Sequence, residues 1–298
     1  MGKEGTGIFS GLEDLGFTNV NNVELYQKHE KEKTHDGKPK ITEDMLLYDK
    51  EIVCPVCENK FLARTVKTNG YRMKKKDSDF YIKYDIINPY FYDVLLCNVC
   101  GYAAMKSDFR KLRQFEIESV QKNITPKWHG RKYPPIYDIN IAIQRYKLSL
   151  LNYSIIDSRS SKKAMNCLKL SWLYRELKDE KNEELFRQNA IIGFKDAYLN
   201  EGLPIYGMDN FTVLYLIGEL NRRSGNYDEA LKYLGDVITS RIANKRIKDM
   251  AVTQKDLIKE TLKHNEAAEK EAEEAEDNND NSEDKKKTGF FSKLFNSL

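Results

Sequence analysis

Histidine is scarce in this sequence, four copies in 298 residues, and all four stand in charged or linker stretches: His29, His35, His129 and His264. No Ser/His/Asp arrangement and no glycine-rich phosphate loop can be picked out. These absences remove the commonest routes to hydrolysis and nucleotide chemistry, so the chain is not expected to be an enzyme. Long apolar runs are missing too. No stretch reaches the roughly 18 residues a spanning helix needs, and the opening MGKEGTGIFSGLEDL lacks the apolar core of a secretory leader. Nor does one sign of charge dominate. Lys and Arg number 49 against 46 Asp and Glu, a net charge of +3, too little to steer the whole molecule toward nucleic acid. Five cysteines, an odd number, do not make a disulfide scaffold. The expected compartment is a reducing cytoplasm.

Four of those cysteines form two pairs, CPVC at 54–57 and CNVC at 97–100. Each C-x-x-C can grip one side of a tetrahedral ion, so Cys54, Cys57, Cys97 and Cys100 are expected to hold one structural zinc. Iron on four thiolates, a redox dithiol and four unrelated buried thiols are the alternatives. The residues after Cys57, ENKFLARTV, favour a strand rather than the helix a thioredoxin-type pair requires. Gly101 follows the second pair, where a positive φ turns the backbone under the metal. Four thiolates close the coordination sphere, so such a zinc would not activate water. Cys167, on an apolar helical stripe, reads as a small buried side chain.

The fold class expected is α+β and multidomain, a small β-rich zinc ribbon followed by an all-α tetratricopeptide-like helical array. Residues 1–44 read as an amphipathic segment and charged linker. Residues 45–122 form the ribbon, with the strand-leaning runs FLARTV, DFYIKYDI and YDVLLC, and 123–136 a Pro/Gly-rich linker. From 137 to 265 apolar residues recur at helical spacing. Tyr146, Leu150 and Tyr153 are one set; Ala164, Cys167, Leu170, Tyr174 and Leu177 another. Breakers at 157–161, 178–181, 202–204 and 224–226 divide these runs. Residues 266–298 read as an acidic tether ending in an amphipathic peptide.

Two segments suggest partners. Between the cysteine pairs, Arg72, Lys74, Lys75 and Lys76 interleave with Tyr71, Phe80, Tyr81 and Tyr84. Cations of this kind grip phosphates while aromatics stack on bases; the same pattern also suits a hairpin whose aromatics fill a core and whose lysines protect an edge. At the ends, Ile8, Phe9 and Leu12, and Phe290, Phe291, Leu294, Phe295 and Leu298, form apolar stripes near lysines. Such stripes dock on an anionic membrane or in a protein groove, so peripheral membrane contact is one expectation.

The segment TVLYLIGELNRRSGNYDEALKYLGDVI fits a tetratricopeptide unit, with Gly218 and Ala230 at its close-packing positions and Gly225 at the turn. A weaker copy, NCLKLSWLYRELKDEKNEELFRQNAIIGF, lies 47 residues earlier, more than the usual period, which implies longer helices or connections. With LYDKEIVCPVCENKF and INPYFYDVLLCNVCGYA, these phrases resemble a bacterial family known as domain-of-unknown-function family 2225, over about residues 45–240. The resemblance implies a metal-binding ribbon followed by tetratricopeptide-like helices in a bacterial cytoplasm, and no established reaction. The expected function is a noncatalytic zinc-binding adaptor whose helical array engages a protein or peptide. The alternatives are a nucleic-acid binder using the basic-aromatic insertion and a membrane-associated scaffold.

Overall fold

The computed structural model describes residues 41–268. The terminal apolar residues Ile8, Phe9, Leu12, Phe290, Phe291, Leu294, Phe295 and Leu298 lie outside that range. The described chain opens with three antiparallel hairpins. In the first, β1 (Leu47–Val53) pairs with β2 (Lys60–Val66), Ile52 opposite Phe61. In the second, β3 (Met73–Lys76) pairs with β4 (Ile82–Tyr84). In the third, β5 (Val94–Leu96) pairs with β6 (Ala103–Met105), Leu96 opposite Ala103. The third hairpin is buried on both faces, which its unbroken apolar sequences VLL and AAM allow.

Seven helices follow. They are α1 (Gln114–Asn123), α2 (Ile139–Ile155), α3 (Ser160–Glu176), α4 (Glu180–Asn200), α5 (Asn210–Arg223), α6 (Tyr227–Thr239) and α7, described over 245–268. Three starts are set by aspartate caps: Asp138, Asp179 and Asp209 accept from the backbone N–H of Ile141, Asn182 and Thr212. The expected breakers fall between α2 and α3, α3 and α4, α4 and α5, and α5 and α6. In the α5–α6 hairpin, a Cβ on Gly218 would lie 2.9 Å from Leu234 Cγ, so glycine is what lets the helices approach. In the α3–α4 hairpin the close approach lies elsewhere, where a Cβ on Gly193 would meet Ala164 Cβ at 2.8 Å. Its helices run to 17 and 21 residues, which accounts for the long repeat. No described helix is long and apolar enough to cross a membrane.

Strands and helices share one core. A single buried cluster runs from Ile52 in β1 to Leu220 in α5. Helix α2 forms the common wall. Its Tyr153 hydroxyl accepts from Met105 N (3.0 Å) and donates to Asp108 Oδ2 (3.1 Å). Its Arg145 donates to the Val94 carbonyl at 2.5 Å.

The middle hairpin departs from expectation. Of DFYIKYDI, only Ile82–Tyr84 pairs as a strand. Residues 77–81 instead form a tight loop, with Phe80 at φ +70°. The cause is a set of ion pairs far away in sequence. Asp79, fully buried, accepts from Trp172 Nε1 (3.1 Å) and Arg175 Nη2 (2.6 Å) on α3, and Arg223 Nε stands 3.8 Å away. The Ser78 hydroxyl donates to Glu219 on α5 at 2.6 Å. Tyr81 packs at a tilt against Trp172, ring centroids 5.4 Å apart, and donates to Glu176. The loop is thus a polar plug set into the helical array.

Burial pushes the Asp79 carboxyl upward, but Arg175 and then Arg223 outweigh it and hold it below the ordinary aspartate value. Its stabilising contribution is therefore fully present above the unfolded value of about 3.9 and disappears as pH falls through the lower folded value. Asp79→Asn is expected to destabilise the protein by about 2 kcal/mol at pH 7, since it removes a buried carboxylate from two half-buried guanidiniums. Urea unfolding of both proteins from pH 7 to pH 3 should show the gap narrowing only below about pH 4.

Candidate metal centre

The two C-x-x-C sequences are the turns of the first and third hairpins, and they are built alike. In the first, Cys54 N donates to Asn59 O (3.0 Å) and Glu58 N donates back to Cys54 O (2.9 Å). In the other, Cys97 N donates to Tyr102 O (2.9 Å) and Gly101 N to Cys97 O (2.9 Å). The residue after each second cysteine is left-handed, Glu58 at φ +59° and Gly101 at φ +75°. The sequence marks the glycine; the glutamate takes the same conformation without a sequence signal.

The turns face each other. Sγ of Cys54 lies 3.6 Å from Cys100, and that of Cys57 lies 3.6 Å from Cys97. All four sulfurs fall within 4.8 Å of one another. Sulfurs about 2.3 Å from a tetrahedral ion stand roughly 3.8 Å apart, so the set fits one metal ion. Cys54, Cys97 and Cys100 are buried and Cys57 is half-buried. As bare thiols they cannot all ionise. Hydrogen bonds from Cys100 and Cys54 hold Cys97 well below the ordinary thiol range, whereas contacts with Cys54 and Cys97, then burial, push Cys100 upward. A dication bound among them would remove this competition for a single negative charge.

A strap between the ribbon and α2 holds both turns. Gln121 donates to the Val56 carbonyl (3.0 Å), and the Thr125 hydroxyl to the Cys100 carbonyl (3.0 Å). Trp128 Nε1 donates to Asn98 O (2.9 Å), and its side chain lies against Gly101. Arg131 N donates to Asn98 Oδ1 (2.6 Å). From behind, Asn152 on α2 accepts from Ala103 N (3.3 Å). These supporting residues carry no motif. The one available hint is a tryptophan beside two glycine- and proline-rich breaks.

The profile of a bacterial family, described as "Uncharacterized protein conserved in bacteria (DUF2225)", matches residues 47–258. The chain belongs to this family. The matched span starts at Leu47 and ends at Ile258, the first and last buried residues among those described, so the family segment coincides with the folded core. A relative in Borreliella burgdorferi, named "Uncharacterized protein", is 25% identical over 237 residues, covering 71% of this chain and 84% of its own. No solved structure matches.

The remaining expected residues stand apart from the sulfur cluster. Cys167 is buried on α3, and burial pushes its thiol up to about 12. His129 is exposed. Arg72, Lys74, Lys75 and Lys76 are all exposed along the middle hairpin. The aromatics among them turn inward. Tyr81 is buried, Phe80 packs on Tyr215 with ring centroids 5.5 Å apart, and Tyr84 meets Tyr90 at 5.8 Å. The cations are accessible, but of the four aromatics only Tyr71 is exposed.

The unequal partners Glu58 and Gly101 give a direct test. A Cβ at 101 would lie 2.7 Å from Trp128 Cγ at a φ of +75°. Gly101→Ala is expected to cost about 2 kcal/mol or more. Glu58→Gly relieves the same backbone conformation and is expected to stabilise by no more than about 1 kcal/mol. Urea unfolding of the metal-loaded protein measures both.

Proposed function

We propose that this protein is a noncatalytic zinc-binding adaptor, in which one structural zinc closes the ribbon and the helical array engages a protein partner in the cytoplasm. The four-sulfur cluster carries this reading. Four protein sulfurs fill a tetrahedral sphere and leave no position for water or substrate, which is the pattern of a structural rather than a catalytic zinc. The thiols are unpaired by disulfides, in keeping with a reducing compartment. The array supplies a surface of the kind partners use. Helix α4 exposes Leu185 (53%), Ile192 (65%) and Leu199 (76%) at seven-residue intervals. An apolar stripe of that period suits an amphipathic helix laid alongside.

Two measurements test the two halves separately. Metal analysis of the full chain is expected to give one zinc per chain, and Cys97→Ala to lose it together with a large drop in unfolding midpoint. Stoichiometric iron, or no metal in a folded protein, would overturn the zinc assignment. For the array, Leu185→Lys, Ile192→Lys and Leu199→Lys combined are expected to keep helix content and unfolding midpoint while losing proteins that co-purify with the full chain. An unchanged set of co-purifying proteins would remove α4 as the partner surface and leave the zinc assignment standing.

A further inference from the structure

A cavity of about 410 Å³ opens where the tip of the middle hairpin meets the helical array. Met165, Leu168 and Trp172 from α3, Leu216 from α5, and Ile247 and Met250 from α7 line it. Phe80 of the plug loop closes one side. Its volume is in the range that holds a small organic molecule, and walls from several separate segments make it a pocket rather than a long groove for a peptide.

The polar rim has one sign. Lys76 and Arg246 both line the cavity, and no aspartate or glutamate does. Neither cation belongs to an ion pair among the described residues, whereas Lys75 beside them reaches Asp77 and the arginines of the plug, Arg175 and Arg223, are all engaged. The Lys76 ammonium lies over the Phe80 ring, 4.8 Å from its centroid. Burial and then the Arg246 charge make Lys76 easier to deprotonate. Two like charges held at the mouth of an apolar cavity repel each other when nothing lies between them, and an anionic group placed there would be attracted by both.

We infer that this cavity binds a small amphipathic anion, its carboxylate or phosphate head between Lys76 and Arg246 and its apolar body on Leu168, Trp172, Leu216 and Met250. The site is separate from the metal centre and does not depend on the adaptor reading. Lys76, one of the four cations first read as contacts for a nucleic-acid backbone, here serves a different anion.

Trp172 reports on occupancy. Titration of the full, zinc-loaded chain with laurate and with 1-naphthylacetate, followed by tryptophan fluorescence and calorimetry, separates an acyl from an aromatic body. At least one is expected to bind at a single site and to shift the fluorescence. The uncharged counterpart, dodecanol or 1-naphthaleneethanol, is expected to bind about tenfold more weakly, the loss of one charge-assisted contact. Lys76→Met with Arg246→Met is expected to bring the acid down to the alcohol's affinity and leave the alcohol unchanged. Met165→Trp, filling the cavity at an unchanged unfolding midpoint, is expected to abolish both. The inference fails if neither acid shifts the fluorescence, if acid and alcohol bind equally to the wild-type chain, or if the double variant keeps the acid's affinity. Laurate binding that survives Met165→Trp would place the site elsewhere on the chain and overturn it as well.

Discussion

Four sulfur atoms from two distant turns must share a space 4.8 Å across, and the rest of the ribbon answers to that requirement. Thiols this close cannot all carry charge in a buried setting, so the arrangement is unfavourable as a set of anions and favourable around a dication. The turns are made for the purpose. Each hairpin hands its first cysteine a backbone hydrogen bond on either side, and each passes through a left-handed residue on the way out. The strap from Gln121 to Arg131 and the side chain of Asn152 then fix where the turns sit. A ribbon of three short hairpins has little core of its own. Helix α2 supplies part of what the strands lack, and an ion held by the four cysteines would add to it.

The second organising contact is the loop at 77–81. It carries a buried carboxylate into a nest of arginines and links the ribbon to α3 and α5. Because α2 binds the strands on one side and the loop grips the helices on another, ribbon and array form one continuous core rather than two bodies on a string. The cavity lined by Lys76 and Arg246 is a by-product of that fit, since its walls come from both parts.

Much of this was legible in the sequence, for local reasons. C-x-x-C spacing is a statement about reach, and helical periodicity a statement about which side faces inward, so both survive without knowledge of the fold. The glycine at 218 announced a close helix crossing and makes one. What was not legible depends on partners far along the chain. Asp79 stands beside a run of lysines with nothing local to mark it as buried; its arginine is 96 residues away. For Phe80 and Tyr81 the sequence left base stacking and core packing both open, and they are turned inward, onto helices far along the chain. Trp128 sits in a stretch that reads as linker because its bonds go to backbone carbonyls, which have no sequence signature. Glu58 adopts a glycine-like backbone because its turn copies its partner's geometry rather than its partner's residue.

The wide sequence separation of the plug and its socket has a bearing on how the chain is born. Ser78 is made 145 residues ahead of Arg223, with which it bonds. At ribosomal speeds of roughly 5–20 residues per second, that leaves on the order of ten seconds in which the hairpin tip has emerged without its socket. For the first part of that interval, until α3 follows 96 residues after Asp79, the carboxylate has no Arg175 to pair with and Tyr81 no Trp172 to cover it. The exposed lysines on the adjoining strand are of the kind that keeps an unpaired edge apart from its neighbours, a property of most use before α5 leaves the exit tunnel.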